Sequence, residues 1–184
     1  MDLRGSFESG LTVDAYERLL EDDQRSLHEL YARRARIDAS MVDAVRSSRV
    51  QNVLVITEPW CGDSLAILPV VTRWFAEAGC DVRIVLRDEH LELIDRYLTN
   101  GGRAIPIVLA LDETLVEQFH WGPRPRPAQD LVARYKEDVA AGRLEKADVY
   151  KMVRAFYARD HGVTILSELA ECIRGLRDGC RMPK

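Results

Sequence analysis

Val53-Leu54-Val55-Ile56 is an uninterrupted aliphatic run set between polar Asn52 and the turn residues Thr57-Glu58-Pro59. A strand with one wet face alternates apolar and polar side chains; a run with no polar break reads as a strand buried on both faces. Beyond Trp60-Cys61-Gly62-Asp63-Ser64 a helix pattern runs to Ala78, with Gly79 placed to end it. Val82, Ile84 and Leu86 mark a second strand, and Leu91, Leu93, Ile94, Tyr97 and Leu98 a helix closed by Asn100-Gly101-Gly102. A third strand, Ile107 to Leu111, turns at Asp112-Glu113 into a fourth, Leu115 to Phe119, its hairpin partner. The crossover from Val53 to Leu86 supplies a parallel pair and the hairpin an antiparallel one. The expected architecture is therefore α/β, with a central four-stranded mixed sheet.

Helices flank this unit on both sides. Met1 to Gly10, with Gly5, Ser6, Ser9 and Gly10, reads as a frayed start. Thr12 is a cap for a first helix to about Asp23. Ser26 and Glu29 have the form of a capping box for a second helix, whose face is Leu27, Leu30, Tyr31, Ile37, Met41 and Val45. After the sheet, Pro123, Pro125 and Pro127 forbid regular structure as far as Ala128. Leu131, Val132 and Tyr135 then belong to a helix that Gly142 ends. Val149, Val153, Phe156 and Tyr157 form a stripe that Gly162 stops, and Ile165, Leu166, Leu169, Ile173 and Leu176 form another. Such stripes read as core-packing faces. The expected organisation is an N-terminal helical extension (1–48), a core (49–126) and C-terminal helices packed on that core (127–184).

Composition narrows the function. The 184 residues include 26 Lys or Arg and 30 Asp or Glu, a net charge of −4, so no basic excess is available to neutralise nucleic-acid phosphates. The longest apolar run, Leu65 to Val71, is far short of the roughly 20 residues a bilayer span needs. Met1 to Gly10 is polar and carries both charge signs, unlike a signal peptide, so a cytoplasmic location is expected. In that compartment four irregularly spaced cysteines read as free thiols rather than a disulfide framework.

Cys61 is the residue the local pattern singles out. It follows a buried strand and opens a helix, where unpaired N–H groups and the helix dipole stabilise an anion and favour a thiolate. Gly62 permits a tight turn, and Trp60 can shield one side of the sulfur. A small buried apolar residue is the alternative for a free cysteine in this place.

Further residues in register resemble the thioredoxin superfamily. Its usual Trp-Cys-Gly-Pro-Cys stands here as Trp60-Cys61-Gly62-Asp63-Ser64. Pro69 falls where the family kinks the helix, Ile105-Pro106 where it places a cis-proline loop, and Gly122 where a glycine borders the same groove. The strings Asn100 to Pro106 and Trp121-Gly122-Pro123-Arg124-Pro125 look like a bacterial thioredoxin-like subgroup with a Cys-Gly-Asp-Ser motif. The resemblance spans Val50 to about Gly122, somewhat under half of the chain. It implies a thioredoxin-like fold, a cis peptide bond before Pro106, and a substrate groove formed by Trp60, Gly62, Asp63, Ile105, Pro106, Trp121 and Gly122 beside Cys61.

The departures bear on mechanism. Ser64 occupies the place of the resolving cysteine, and a hydroxyl cannot displace a thiolate from a disulfide. Val55 stands where the family buries a carboxylate. Asp63 replaces the motif proline and opposes a neighbouring thiolate, whereas Ser64 can donate a hydrogen bond to it. Cys80, at the far end of the same helix, lies roughly 28 Å away at 1.5 Å per residue, too far for a disulfide. Cys172 and Cys180 belong to the last helix or follow it. His28, His90, His120 and His161 are scattered, with no metal-ligand spacing. Arg124, and with it Arg103, is a candidate partner for a carboxylate of glutathione or of a peptide.

Two functions fit these residues. One is a monothiol (C-x-x-S) thiol-disulfide oxidoreductase, with Cys61 and Ser64 as its catalytic pair. It would act on protein or glutathione mixed disulfides, with glutathione as co-substrate and no resident cofactor. The other is a non-catalytic module whose groove takes an extended peptide beside Pro106. A peroxidase role fits less well, because the motif lacks the Thr-x-x-Cys arrangement of peroxiredoxins.

Overall fold

The computed structural model describes residues 3–177. Its elements in chain order are α1 (Arg4–Glu8), β1 (Leu11–Thr12), α2 (Val13–Glu17), α3 (Asp22–Arg34) and α4 (Ala39–Arg46), then β2 (Asn52–Thr57), α5 (Gly62–Glu77), β3 (Asp81–Leu86) and α6 (Leu91–Ile94). The hairpin β4 (Ile107–Leu111) and β5 (Glu117–Trp121) follows, then α7 (Arg126–Arg134), α8 (Lys136–Ala140), α9 (Lys146–Asp160) and α10 (Val163–Arg177).

The strand order is β1-β3-β2-β4-β5, with β2 central, parallel to β3 and antiparallel to β4. Val53 to Ile56 are fully buried, as the unbroken aliphatic run predicts. Strand alternation divides them between two clusters. Val53 and Val55 pack with Trp74 and Phe75 of α5, Val45 of α4 and Leu166 of α10. Leu54 and Ile56 pack with Leu3, Phe7, Leu93 and Ile94 on the other face.

Among the described residues the sheet has five strands rather than four. The added edge strand is β1, which pairs antiparallel with β3 through Leu11 and Ile84. Thr12 serves both elements: it pairs with Arg83, and its Oγ1 accepts from the Ala15 N–H at 3.2 Å, capping α2 as expected. From Leu3 onward the start is not frayed: Leu3, at the N-cap of α1, and Phe7, within it, are buried anchors, while Met1 and Asp2 lie outside the described residues. Gly10 is required there: a Cβ would stand 2.9 Å from the Arg83 Cβ.

Several helix limits differ from expectation for local reasons. The first helix stops at Glu17. The second is opened by Glu21 and Gln24, which form the capping box, while Ser26 turns back to donate to the Asp22 carbonyl. It also breaks after Arg34, and Asp38 caps a fresh helix through the Met41 N–H at 2.9 Å. The six-residue gap between Tyr31 and Ile37, which is no helical repeat, falls on that break. β5 begins two residues late because Asp112 Oδ1 accepts from the N–H groups of Thr114 and Val116, lengthening the turn. α7 starts at Arg126 with Pro127 in its first turn, where a missing N–H costs nothing. The helix expected to run from Leu131 to Gly142 is two pieces, divided at Tyr135. No described helix is long and apolar enough to cross a membrane.

Candidate functional site

The loop after β2 delivers Cys61 to the N-cap of α5 in an extended conformation. Its N–H donates to the Glu58 carbonyl at 3.1 Å and its carbonyl accepts from the Leu65 N–H. The loop is tied down in turn, because the buried Glu58 carboxylate accepts from the Asp88 N–H at 2.8 Å. The Cys61 thiol donates to the Ile105 carbonyl, with Sγ 3.6 Å from the oxygen, and the residue is 8% exposed. The Ile105–Pro106 peptide bond is cis, as expected, and leads directly into β4. Gly122, just past β5, has a φ of +131° and touches this loop closely; a Cβ there would lie 2.3 Å from the Pro106 carbonyl oxygen. Only glycine fits that approach.

The side chains around the motif do not all point where the sequence suggested. Ser64 is fully buried and receives a 2.5 Å hydrogen bond from Thr57 Oγ1; no hydrogen bond joins it to Cys61. Asp63 is also buried. Its Oδ2 pairs with Arg124 Nη2 at 2.5 Å and its Oδ1 accepts from the Tyr157 hydroxyl at 2.9 Å. The carboxylate expected to act as a bare charge beside Cys61 is therefore compensated, and Arg124 is already engaged. Burial would lower the Arg124 pKa, but the charge and hydrogen bond of Asp63 outweigh it and the net direction is upward. Burial, and then Asp63, hold the Tyr157 phenol far above its ordinary range.

A cleft of about 590 Å³ opens beside the sulfur. Trp60 and Ile105 border it from the two loops, and Gly62 and Asp63 from the start of α5. Trp60 is 58% exposed, with the Arg87 guanidinium stacked 4.8 Å from its ring centroid. Arg87 also donates to the Arg103 carbonyl, and Arg103 makes a two-pronged pair with Asp95 at 2.6 and 2.8 Å. The far wall is α9, through Tyr150, Val153, Arg154 and Tyr157.

A family model described as thioredoxin matches residues 10–137, well over half of the chain. The chain belongs to the thioredoxin family. None of the curated proteins matches it. Two crystal structures share its fold: a protein of unknown function from Pseudomonas aeruginosa (16% identity, TM-score 0.72) and an HIV epitope-scaffold (16% identity, TM-score 0.70). Each alignment covers 95% of this chain and 99% of the other.

In this thioredoxin-family chain Trp121 is withdrawn from the cleft. It is buried, and its indole N–H donates to Glu168 Oε2 of α10 at 2.9 Å. The other Glu168 oxygen accepts from the Arg126 N–H at the start of α7. Cys172 is buried in α10; Cys80 donates to the Val50 carbonyl, and burial pushes its thiol up to about 11. Cys180 lies outside the described residues. Among the described residues no three His, Cys, Asp or Glu side chains converge to hold a metal.

Sequence reasoning missed Arg87, Tyr150 and Arg154, and took Tyr157 for plain core. The signal for the last three was present. Tyr150, Arg154 and Tyr157 stand at i, i+4 and i+7, a polar stripe beside the apolar one of Val149 and Val153.

Proposed function

We propose that the chain is a monothiol thiol-disulfide oxidoreductase working through Cys61. The observation that carries this reading is the cysteine at the helix start, beside the Ile105 carbonyl and at the edge of a cleft large enough for a small molecule or a peptide turn. The Cys61 thiolate attacks one sulfur of a disulfide, forming a mixed disulfide and releasing the other sulfur as a thiolate that takes up a proton. An external thiol such as glutathione then attacks the mixed disulfide. It leaves joined to the substrate sulfur, and Cys61 is restored. Electrons come from that external thiol, so no resident cofactor is needed. Ser64, held by Thr57, supports the turn and takes no part in the exchange. The cytoplasm, with its reducing thiol pool, suits this cycle.

Incubation with oxidised glutathione near neutral pH, followed by intact-mass measurement, tests the reading. An adduct on Cys61 that reduced glutathione removes is the expected result. An unmodified Cys61, in a protein whose Cys61→Ala variant still captures an extended peptide, would replace it with the binding-module reading. The low exposure of Cys61 is the feature that favours that alternative.

A further inference from the structure

The cleft beside Cys61 carries more positive charge than a neutral disulfide needs. Among the described residues four guanidinium groups line it, from Arg87, Arg103, Arg124 and Arg154, against a single lining carboxylate, Asp63. Asp63 is consumed by Arg124 inside the protein. Arg87 and Arg103 are held by Asp88 and Asp95, neither of which lines the cleft. Arg154 is different: it is exposed, and among the described residues no carboxylate pairs with it. The Tyr31 phenol of α3, a neutral group near pH 7, lies within its electrostatic reach: burial pushes the phenol up, and Arg154 and Arg34 draw it down without reversing that. Tyr150, one turn before Arg154 on α9, lines the same wall.

We infer that the α9 wall is an anion subsite, in which Arg154, with Tyr150 beside it, receives a phosphate or carboxylate group of a small polyanionic thiol compound whose sulfur reaches Cys61. This rests on the proposed exchange reaction for the role of the sulfur but not for the binding of the anion. Guanidinium groups bind both anion types through two parallel N–H donors, so carboxylate and phosphate share the recognition chemistry. The volume of the open cleft lies in the range of small-ligand sites. Arg154 comes from a helix beyond the residues that carry the thioredoxin motifs, so this selectivity belongs to the C-terminal part of the chain.

Binding can be measured without any redox step. Calorimetric titration of the full-length Cys61→Ser protein would use S-methylglutathione as the carboxylate probe, desulfo-coenzyme A as the phosphate probe, and pantethine as the uncharged control. At least one anionic probe should bind and pantethine should not. Affinity should fall at least tenfold in Arg154→Glu and should weaken as salt is raised. Which probe binds identifies the anion. Arg154 is exposed, so the variant should keep its fold, and its circular dichroism and melting temperature confirm that. Failure of both probes to bind, or equal binding by Arg154→Glu, overturns the subsite. A missing glutathione adduct on native Cys61, with anion binding intact, would instead overturn the redox reading and leave the subsite standing.

Discussion

Asp63, in the first turn of α5, and Arg124, between the sheet and α7, form a buried ion pair at 2.5 Å, and Tyr157 of α9 donates to the same carboxylate. Three segments far apart in sequence thus share one charge balance directly behind the candidate nucleophile. Removing one partner of such a pair leaves the other charged and dry, which costs more than the pair itself contributes.

Asp63→Asn should therefore destabilise the protein by about 3–5 kcal/mol. Tyr157→Phe, which removes one donor and leaves the ion pair, should cost about 1–3 kcal/mol. Urea unfolding followed by fluorescence measures both. The double variant Asp63→Leu/Arg124→Met should lose less than the sum of its singles, and strict additivity would contradict the coupling.

His28 gives stability an acid dependence. It is buried, with Nδ1 3.3 Å from Glu17 Oε1, and desolvation lowers its pKa to about 4. The unfolded chain takes up this proton near pH 6.5, before the folded protein does, so stability falls as pH drops from about 6.5 toward 4. The loss attributable to this residue is roughly 3 kcal/mol at the acid end. His28→Gln should flatten the denaturation midpoint across that interval; an unchanged slope would sink the assignment.

Gly122→Ala meets both an unfavourable φ and the Pro106 carbonyl. The backbone conformation alone costs about 1–3 kcal/mol, and the contact adds to it. Thermal melts should show a clear drop, and Cys61 alkylation by iodoacetamide should change rate as the Ile105–Pro106 loop is displaced.

The native protein should not catalyse insulin reduction with a thioredoxin reductase as sole electron source, because no second thiol stands at position 64. Ser64→Cys should acquire measurable turnover. Thr57, packed against that position at 2.5 Å, and Val55, which offers no carboxylate, should keep it slow. Turbidity of reduced insulin is the readout, and catalysis by the native chain would refute the monothiol cycle.

The sheet and the motif loops were legible because their signals are local. The aliphatic run in β2, the proline before β4 and Gly122 each encode a requirement within a few residues. What could not be read was long-range pairing. Nothing near Asp63 announces Arg124 or Tyr157, and nothing near Trp121 announces Glu168, so a residue expected in the groove proved to be bound to α10. The two-residue β1 is too short to carry periodicity; its place follows from its register against β3. Leu3 and Phe7 were hidden among the small polar residues around them.

The two faces of β2 are closed by segments made at different times. Leu3 and Phe7 leave the ribosome before every strand of the sheet, whereas Leu166 and Ile173 of α10 emerge after all five. A nascent chain that has completed β5 can already cover Leu54 and Ile56, but must hold Val53 and Val55 incompletely shielded until α10 arrives. Folding during synthesis is therefore one-sided, and that apolar face is where a chaperone would be needed.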